Sequence, residues 1–226
     1  MKNITNEIFI TGTDTEIGKT FISQCVIESL KEKGKLTIGL KPIASGAQMI
    51  GDSLSNEDAL KLQSCSSRLL EYAQVNPFCF EPAIAPHIAA QKVAQPLSVK
   101  LLQEKVIKPQ ADFVIIEGAG GWLTPLNETE TFADWVELRT TQVILVVGMK
   151  LGCLNHAMLT VNDIKSRGLQ LVGWVANFAQ GEMAMAEENL SWLKNNIEAP
   201  CLAEVPFIKE GDFKKASKLL NLQTLL

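Results

Sequence analysis

The stretch Ile8-Phe9-Ile10-Thr11-Gly12-Thr13-Asp14-Thr15-Glu16-Ile17-Gly18-Lys19-Thr20 leaves a chain few choices. It begins as a short apolar strand, turns through glycines, and ends in Gly-Lys-Thr at the head of an amphipathic run. That order is the one in which loop N–H groups and a helix N-terminus face an anion, the arrangement of a phosphate-binding P-loop. In such a loop Lys19 reaches the β- and γ-phosphates and the Thr20 hydroxyl holds Mg²⁺. Thr13 to Ile17 form a spacer one residue longer than the general pattern G-x-x-x-x-G-K-[ST].

Composition narrows the class. The chain has 226 residues, enough for a full core in one domain or at most two. Its apolar content of 46% and charged content of 20% describe a soluble globular protein. A formal net charge of −4 argues against nucleic acid or an anionic membrane as partner. An anionic substrate must therefore be met by a local positive site. The five cysteines (Cys25, Cys65, Cys79, Cys153, Cys201) show no C-x-x-C spacing, which points to reduced thiols and no zinc site. Met1 to Glu7 is polar and runs straight into the first strand, so no signal peptide is expected. The apolar run around Val143 to Val147 is too short to span a bilayer. These features predict a cytoplasmic location.

The rest of the chain alternates strand and helix. Apolar positions from Phe21 to Lys33 recur at helical spacing, with Gly34 as C-cap, and Leu36 to Leu40 reads as the next strand. Asn56 can cap a helix through Leu60 and Leu62, Ser98 one from Val99 to Val106, and Thr131 one through Leu138. Ser66 to Gln95, with Pro77, Pro82 and Pro86, reads as loops and short helices. Strands are expected over Asp112 to Ile116, Val143 to Val147, Leu171 to Ala176 and Cys201 to Val205. Helices are expected from Cys153 to Ser166, from Met183 to Asn195, and in a short basic tail from Asp212. Near-continuously apolar strands alternating with helices imply a mostly parallel sheet covered on both faces. The expectation is one α/β P-loop domain over residues 1–226.

Polar residues follow the strand ends in turn: Lys19 and Thr20, Lys41 and Ser45, Glu117, Asn177. Residues just past the carboxyl ends of parallel strands line the ligand crevice. Taken alone, Lys41 reads first as a solvated charge, Ser45 as a turn residue, and Asp58 as an acid favoured by a helix dipole. Glu117 is different, because Ile115 and Ile116 bury its stem and the glycines after it offer no side-chain shield. A carboxylate so placed needs a cation, and nucleotide-bound Mg²⁺ is the candidate. Asn177 offers a donor beside an acceptor, which suits either the N6/N7 edge of adenine or an ordinary strand-end cap. No Asn-Lys-x-Asp run follows it, which favours ATP over GTP. Gly148 to Asn155 is a second strand-to-helix junction and either an anion site, with Lys150 as a further donor, or an ordinary turn. His87 and His156 are read as structural, and Trp122 and Trp135 as core or interface.

Read together, Gly12 to Thr20, Lys41-Pro-Ile-Ala-Ser-Gly46, Asn56-Glu-Asp-Ala-Leu60, Ala85-Pro-His-Ile-Ala-Ala90, Glu117-Gly-Ala-Gly-Gly-Trp122, Lys150-Leu-Gly-Cys-Leu-Asn-His156 and Gly173-Trp-Val-Ala-Asn177 resemble the dethiobiotin synthetase family. The long P-loop spacer is the form that family uses. The resemblance implies ATP- and Mg²⁺-dependent closure of a ureido ring from 7,8-diaminopelargonate and CO₂ or bicarbonate, in biotin biosynthesis. It implies a triphosphate lined by Glu16, Ile17, Gly18, Lys19, Thr20 and Phe21, with Gly118, Ala119 and Gly120 beside it. Mg²⁺ would be gathered by Thr20, Asp58 and Glu117. Lys19 and Lys41 would be catalytic, while Thr15 and Ser45 would position substrate. Adenine would be framed by Asn177, Pro206, Phe207 and Ile208. Leu151, Gly152 and Asn155 of a neighbouring subunit would hold the substrate carboxylate, which makes a homodimer. Lys209-Glu210-Gly211-Asp212-Phe213 departs from the acidic segment such a family carries there. The rival readings are a regulatory P-loop ATPase acting on a protein partner, an amidotransferring cobyrinate-type synthetase, and an inactive binding module. The first lacks its early lysine, since Thr13, Asp14 and Thr15 occupy the space, and the second lacks a glutaminase domain. The third conflicts with intact Lys19, Lys41 and Glu117.

Overall fold

Six strands build the main sheet: β1 (Asn6–Gly12), β2 (Thr37–Leu40), β7 (Phe113–Glu117), β8 (Gln142–Gly148), β9 (Gln170–Asn177) and β10 (Cys201–Val205). The computed structural model describes residues 5–140, 142–208 and 211–226. Every pairing in this sheet is parallel, in the order β10-β9-β8-β1-β7-β2. The chain goes from β1 out to β2, returns to β7 beside β1, then crosses to β8 on the other side. Connections therefore part in opposite directions at the carboxyl tip of β1, the switch point where open α/β sheets bind ligands.

Burial on both faces explains the unbroken apolar strands. Phe9, Val114 and Ile116 point into one cluster with α5 (Val99–Lys105) and α6 (Phe132–Arg139), where Phe9 meets the Phe132 ring edge-on at 5.2 Å. Ile8, Ile10, Phe113 and Ile115 point the other way, against α1 (Lys19–Glu32), α2 (Glu57–Cys65) and α9 (Phe213–Ser217). A third cluster joins β8 and β9 to α7 (Cys153–Ser166) and α8 (Ala186–Asn196). Trp135 and Trp174 are fully buried and Trp122 nearly so. No helix among the described residues is long and apolar enough to cross a membrane.

Local signals for the ends of the elements mostly have the expected physical basis. Asn56 accepts the N–H groups of Asp58 and Ala59, Ser98 accepts that of Leu101, and Thr131 and Asp134 form a capping box. Two elements differ. α8 starts at Ala186, three residues after Met183, because Met185 takes a left-handed turn at φ 52°. An antiparallel hairpin, β4 (Gln48–Ile50) with β5 (Ser53–Ser55), was absent from the strand pattern. Its strands are largely exposed, so no buried face marks them in the sequence. Between Ser66 and Gln95 lie α3 (Tyr72–Val75), β6 (Phe78–Cys79) and α4 (Pro86–Lys92); β6 pairs with a short β3 (Ile43–Ala44) just past β2. Met1 to Ile4, Lys209 and Glu210 lie outside the described residues.

Candidate active site

The loop after β1 is held open by its own geometry. Gly18 sits at φ +83°, and a side chain there would run into the Asn177 carboxamide. A methyl group on Gly12 would come within 2.6 Å of Ile17 and 3.1 Å of the Lys19 stem. Glycine is needed at both ends of the spacer, one for backbone conformation and one for close approach. Thr13 N–H donates to the Val146 carbonyl at 3.0 Å, and the Thr13 hydroxyl accepts from Gly148 N–H at 3.2 Å. Asn177 donates to the Ile17 carbonyl at 2.7 Å. One N–H of the Asn177 amide is thus engaged in bracing the loop. Helix α1 then begins with no side-chain cap, so its first N–H groups stand available to an anion.

Around that loop gather the charged groups. Glu117, the last residue of β7, has no solvent exposure at all. Its Oε1 accepts from the Thr20 hydroxyl at 2.8 Å and from the Lys41 ammonium at 2.5 Å, while Oε2 is buried without a partner. Lys41, one residue past β2, also donates to the Gly118 carbonyl at 3.2 Å and lies 3.6 Å from Asp58 Oδ2. Asp58 comes from the first turn of α2, and its carboxylate is the half-exposed member of the set. Ser45 Oγ is a second buried polar atom without a partner. Unpaired buried oxygens are costly and mark places where a ligand completes the bonding.

Burial and these neighbours set the charges. Burial pulls the Lys41 ammonium down, but Glu117 and Asp58 outweigh it and hold it above the ordinary lysine value. Lys19 is pulled down to about 8 by burial and then by the Lys41 charge. Its ammonium donates to the Asp14 carbonyl at 2.7 Å. The Asp14 carboxylate accepts from Lys150 at 2.5 Å and from Thr15 N–H at 2.7 Å, and the Lys150 bond holds it below the usual carboxylate range. Asp14 is a site residue that sequence reasoning missed, since a P-loop spacer position carries no local signal for a partner on β8's loop.

The remaining candidates sit around this centre. Thr15 and Glu16 are exposed on the loop, Glu16 at φ 56°, while Ile17 is buried beneath it and Phe21 packs partly on the α1 face. Gly118, Ala119 and Gly120 leave β7 beside Lys41, with Gly120 at φ +64°. Pro206, Phe207 and Ile208 follow β10, next to β9; Phe207 is exposed and Ile208 packs inward. Gly152 at φ +92° starts α7, with Leu151 94% exposed and Asn155 exposed on its first turn. His156 is exposed there as well.

A hydroxyl, a buried carboxylate with a spare oxygen and a half-exposed carboxylate are hard oxygen donors. They suit Mg²⁺ that takes its other ligands from phosphate and water. Among the described residues no group of three or more His, Cys, Asp or Glu that could hold a metal ion gathers.

Comparison with known proteins converges on the same reading. The family described as AAA domain matches residues 6–214. The ATP-dependent dethiobiotin synthetase BioD of Cellvibrio japonicus (strain Ueda107) is 47% identical over 220 residues, covering 96% of each chain. BioD 1 of Escherichia coli (strain K12) is 45% identical over 220 residues, 96% of this chain and 98% of that one. Among solved structures, the septum site-determining protein MinD complexed with Mg-ADP from Pyrococcus horikoshii OT3 superposes with a TM-score of 0.54 at 20% identity. It covers 94% of this chain and 86% of that one, a likeness of fold alone. With a P-loop, an acid on the neighbouring strand and near-full-length identity of this order, the chain belongs to the ATP-dependent dethiobiotin synthetase family.

Proposed function

We propose that this chain joins CO₂ to 7,8-diaminopelargonate at the expense of ATP, and that Lys41 acts at the point where the three meet. The observation that carries the reading is the Lys41 ammonium, buried beside the P-loop and held between Glu117 and Asp58. One amine of the diamine attacks CO₂ and loses a proton, giving a carbamate. A carbamate is a poor electrophile until its oxygen becomes a leaving group. That oxygen attacks the γ-phosphorus and the bond to ADP breaks, giving a carbamic–phosphoric anhydride. The second amine attacks the carbonyl carbon, phosphate departs, and a proton is lost as the ring closes. Lys19 and Lys41 meet the negative charge that builds on the transferring phosphoryl group and the carbamate oxygen. Glu16 to Phe21 cradle the triphosphate; Gly118, Ala119 and Gly120 leave backbone beside it. Thr20, Asp58 and Glu117 would hold Mg²⁺, which supplies neutralisation of the phosphate charge. Thr15 and Ser45 orient the diamine. Asn177 and Pro206 to Ile208 flank the base. We place the reaction in the cytoplasm.

The direct test is phosphate release from ATP. It is expected to require diaminopelargonate and bicarbonate together, with dethiobiotin formed in equal amount by mass. Release stimulated by a protein partner without the diamine would favour the regulatory-switch reading instead.

The proposal includes a homodimer in which Leu151, Gly152 and Asn155 of one copy receive the diamine's carboxylate in the other copy's site. The exposed Leu151 just before α7 and Leu159 on it, with the left-handed Gly152 that opens the helix, support it. Asn155→Ala is expected to raise the diamine KM about tenfold with little change for ATP. Mixing Asn155→Ala with Lys41→Gln copies then rebuilds intact sites. Assayed with the diamine well below its KM, where Asn155→Ala sites are nearly silent, random re-pairing makes half the dimers mixed, each with one whole site, so activity rises to about a quarter of the native level. No recovery on mixing would show that each subunit works alone.

A further inference from the structure

Behind the site runs a polar relay of two buried asparagines and a partly buried tyrosine, with no part in the chemistry above. Tyr72, the one tyrosine in the chain, opens the short helix α3. Its phenolic oxygen donates to Asn76 Oδ1 at 2.8 Å, accepts the Asn56 amide N–H at 2.7 Å, and stands 3.4 Å from Cys79 Sγ. A phenol has one hydrogen to give and two lone pairs to receive, so three contacts satisfy it. Both asparagines pass the connection on. Asn76 donates to the Lys41 carbonyl at 2.6 Å and the Phe78 carbonyl at 3.3 Å. Asn56 donates to the Ser45 carbonyl at 3.2 Å and caps α2 by accepting the N–H of Asp58 at 3.0 Å. Lys41, Ser45 and Asp58 are therefore each one residue removed from a single oxygen.

We propose that Tyr72 is a positioning residue, whose hydroxyl keeps the Lys41 loop and the start of α2 in register so that Lys41 and Asp58 meet over Glu117. The inference rests on the reading of this site as a Mg²⁺·ATP ligase centre. Lys41 is anchored at both ends of its backbone unit, since its N–H donates to the Val75 carbonyl at 2.9 Å while its own carbonyl takes the Asn76 amide. Only the side-chain torsions remain free to aim the ammonium. Burial, with the Cys79 thiol beside it, pushes the phenol above its ordinary value, so the hydroxyl keeps its proton through neutral and mildly alkaline solution. Tyr72→Phe keeps the ring and leaves the Asn56 N–H and Asn76 Oδ1 without that oxygen. Catalytic groups displaced by a fraction of an ångström lose rate steeply.

The test is Tyr72→Phe in the full chain, with Asn56→Asp as a second variant. Asn56→Asp keeps the oxygen that caps α2 and loses the donor to Ser45. For Tyr72→Phe, kcat is expected to fall about tenfold and the Mg²⁺ level for half-saturation to rise about threefold, with the ATP KM within about twofold. The ATP constant holds because the triphosphate cradle hangs on β1 and α1. The double variant is expected to lose no more than about twofold beyond the more damaged single variant, because both cut one relay. Losses that multiply in the double variant, or a fall in kcat and in the melting midpoint with the ATP and diamine KM values both rising, would overturn the proposal. If Tyr72→Phe does not fold, the Mg²⁺ shift is read from Asn56→Asp with the same outcomes. That shift is also read from binding of a non-hydrolysable ATP analogue without the diamine. If it appears while the native chain makes no dethiobiotin, the relay stands and the ligase reading fails. If the native chain closes the ring and neither kcat nor the Mg²⁺ dependence moves, the relay fails alone.

Discussion

Lys41→Gln is expected to lower ring-closure turnover by about 10²–10³-fold while the Kd for a non-hydrolysable ATP analogue stays within about threefold. Product formation by mass and calorimetric titration of the analogue check the two halves. The argument turns on where the charge sits. The Lys41 ammonium is 6% exposed, so a charge developing beside it is poorly screened by water. Glutamine can donate hydrogen bonds from that position but carries no charge. Ground-state affinity rests instead on the P-loop N–H groups and Lys19, which belong to β1 and α1. Removing Lys41 also relieves Lys19 of one of the two causes that pull it down to about 8, which favours its charged form. Turnover that survives the substitution would take Lys41 out of the reaction.

What the sequence revealed of this site depended on how local each signal was. Gly12 to Thr20 and Ile115 to Gly118 are contiguous runs, and the glycines and apolar residues within them have one physical use each, so their meaning survives without coordinates. Asp58 is different. Nothing around it distinguishes a helix-start acid from a ligand, and only the fold brings it 3.6 Å from Lys41. Asn177 looked equally suited to a base edge and to a strand end, and its amide is engaged on the Ile17 carbonyl at 2.7 Å, a contact across 160 residues. Tyr72 and Asn76 lie in a proline-punctuated stretch with no periodicity, and their partners sit on β2's loop and the start of α2. Such long-range polar contacts follow from packing of elements, which pattern along the chain does not encode. The hairpin β4–β5 was hidden for the opposite reason: Met49 and Ile50 are apolar yet exposed, so burial leaves no imprint on it.

Glu117→Gln is expected to remove the Mg²⁺ dependence of analogue binding and to cost about 3–5 kcal/mol of stability, because it leaves the Lys41 ammonium buried with only the more distant Asp58 as countercharge. For a chain of this size each kcal/mol moves the melting midpoint by about 2–4 °C. Lys41→Gln should cost a similar amount for the mirror reason, a buried carboxylate without its cation. Combining the two separates folding from chemistry. With both charges gone, the Thr20 hydroxyl still has an amide oxygen to meet, and two glutamines can pair with each other in place of the ions. Replacing a buried ion pair by a neutral pair of similar volume leaves stability nearly unchanged. Lys41→Gln with Glu117→Gln is therefore expected to unfold in urea within about 1 kcal/mol of the native chain, while turning over no faster than the worse single variant. A double variant as fragile as either single one would mean that packing around β2 and β7, and not charge pairing, holds these two residues. A stable but inert double variant would mean that the pair exists for its chemistry: the fold tolerates the two charges because each shields the other until phosphate oxygens enter.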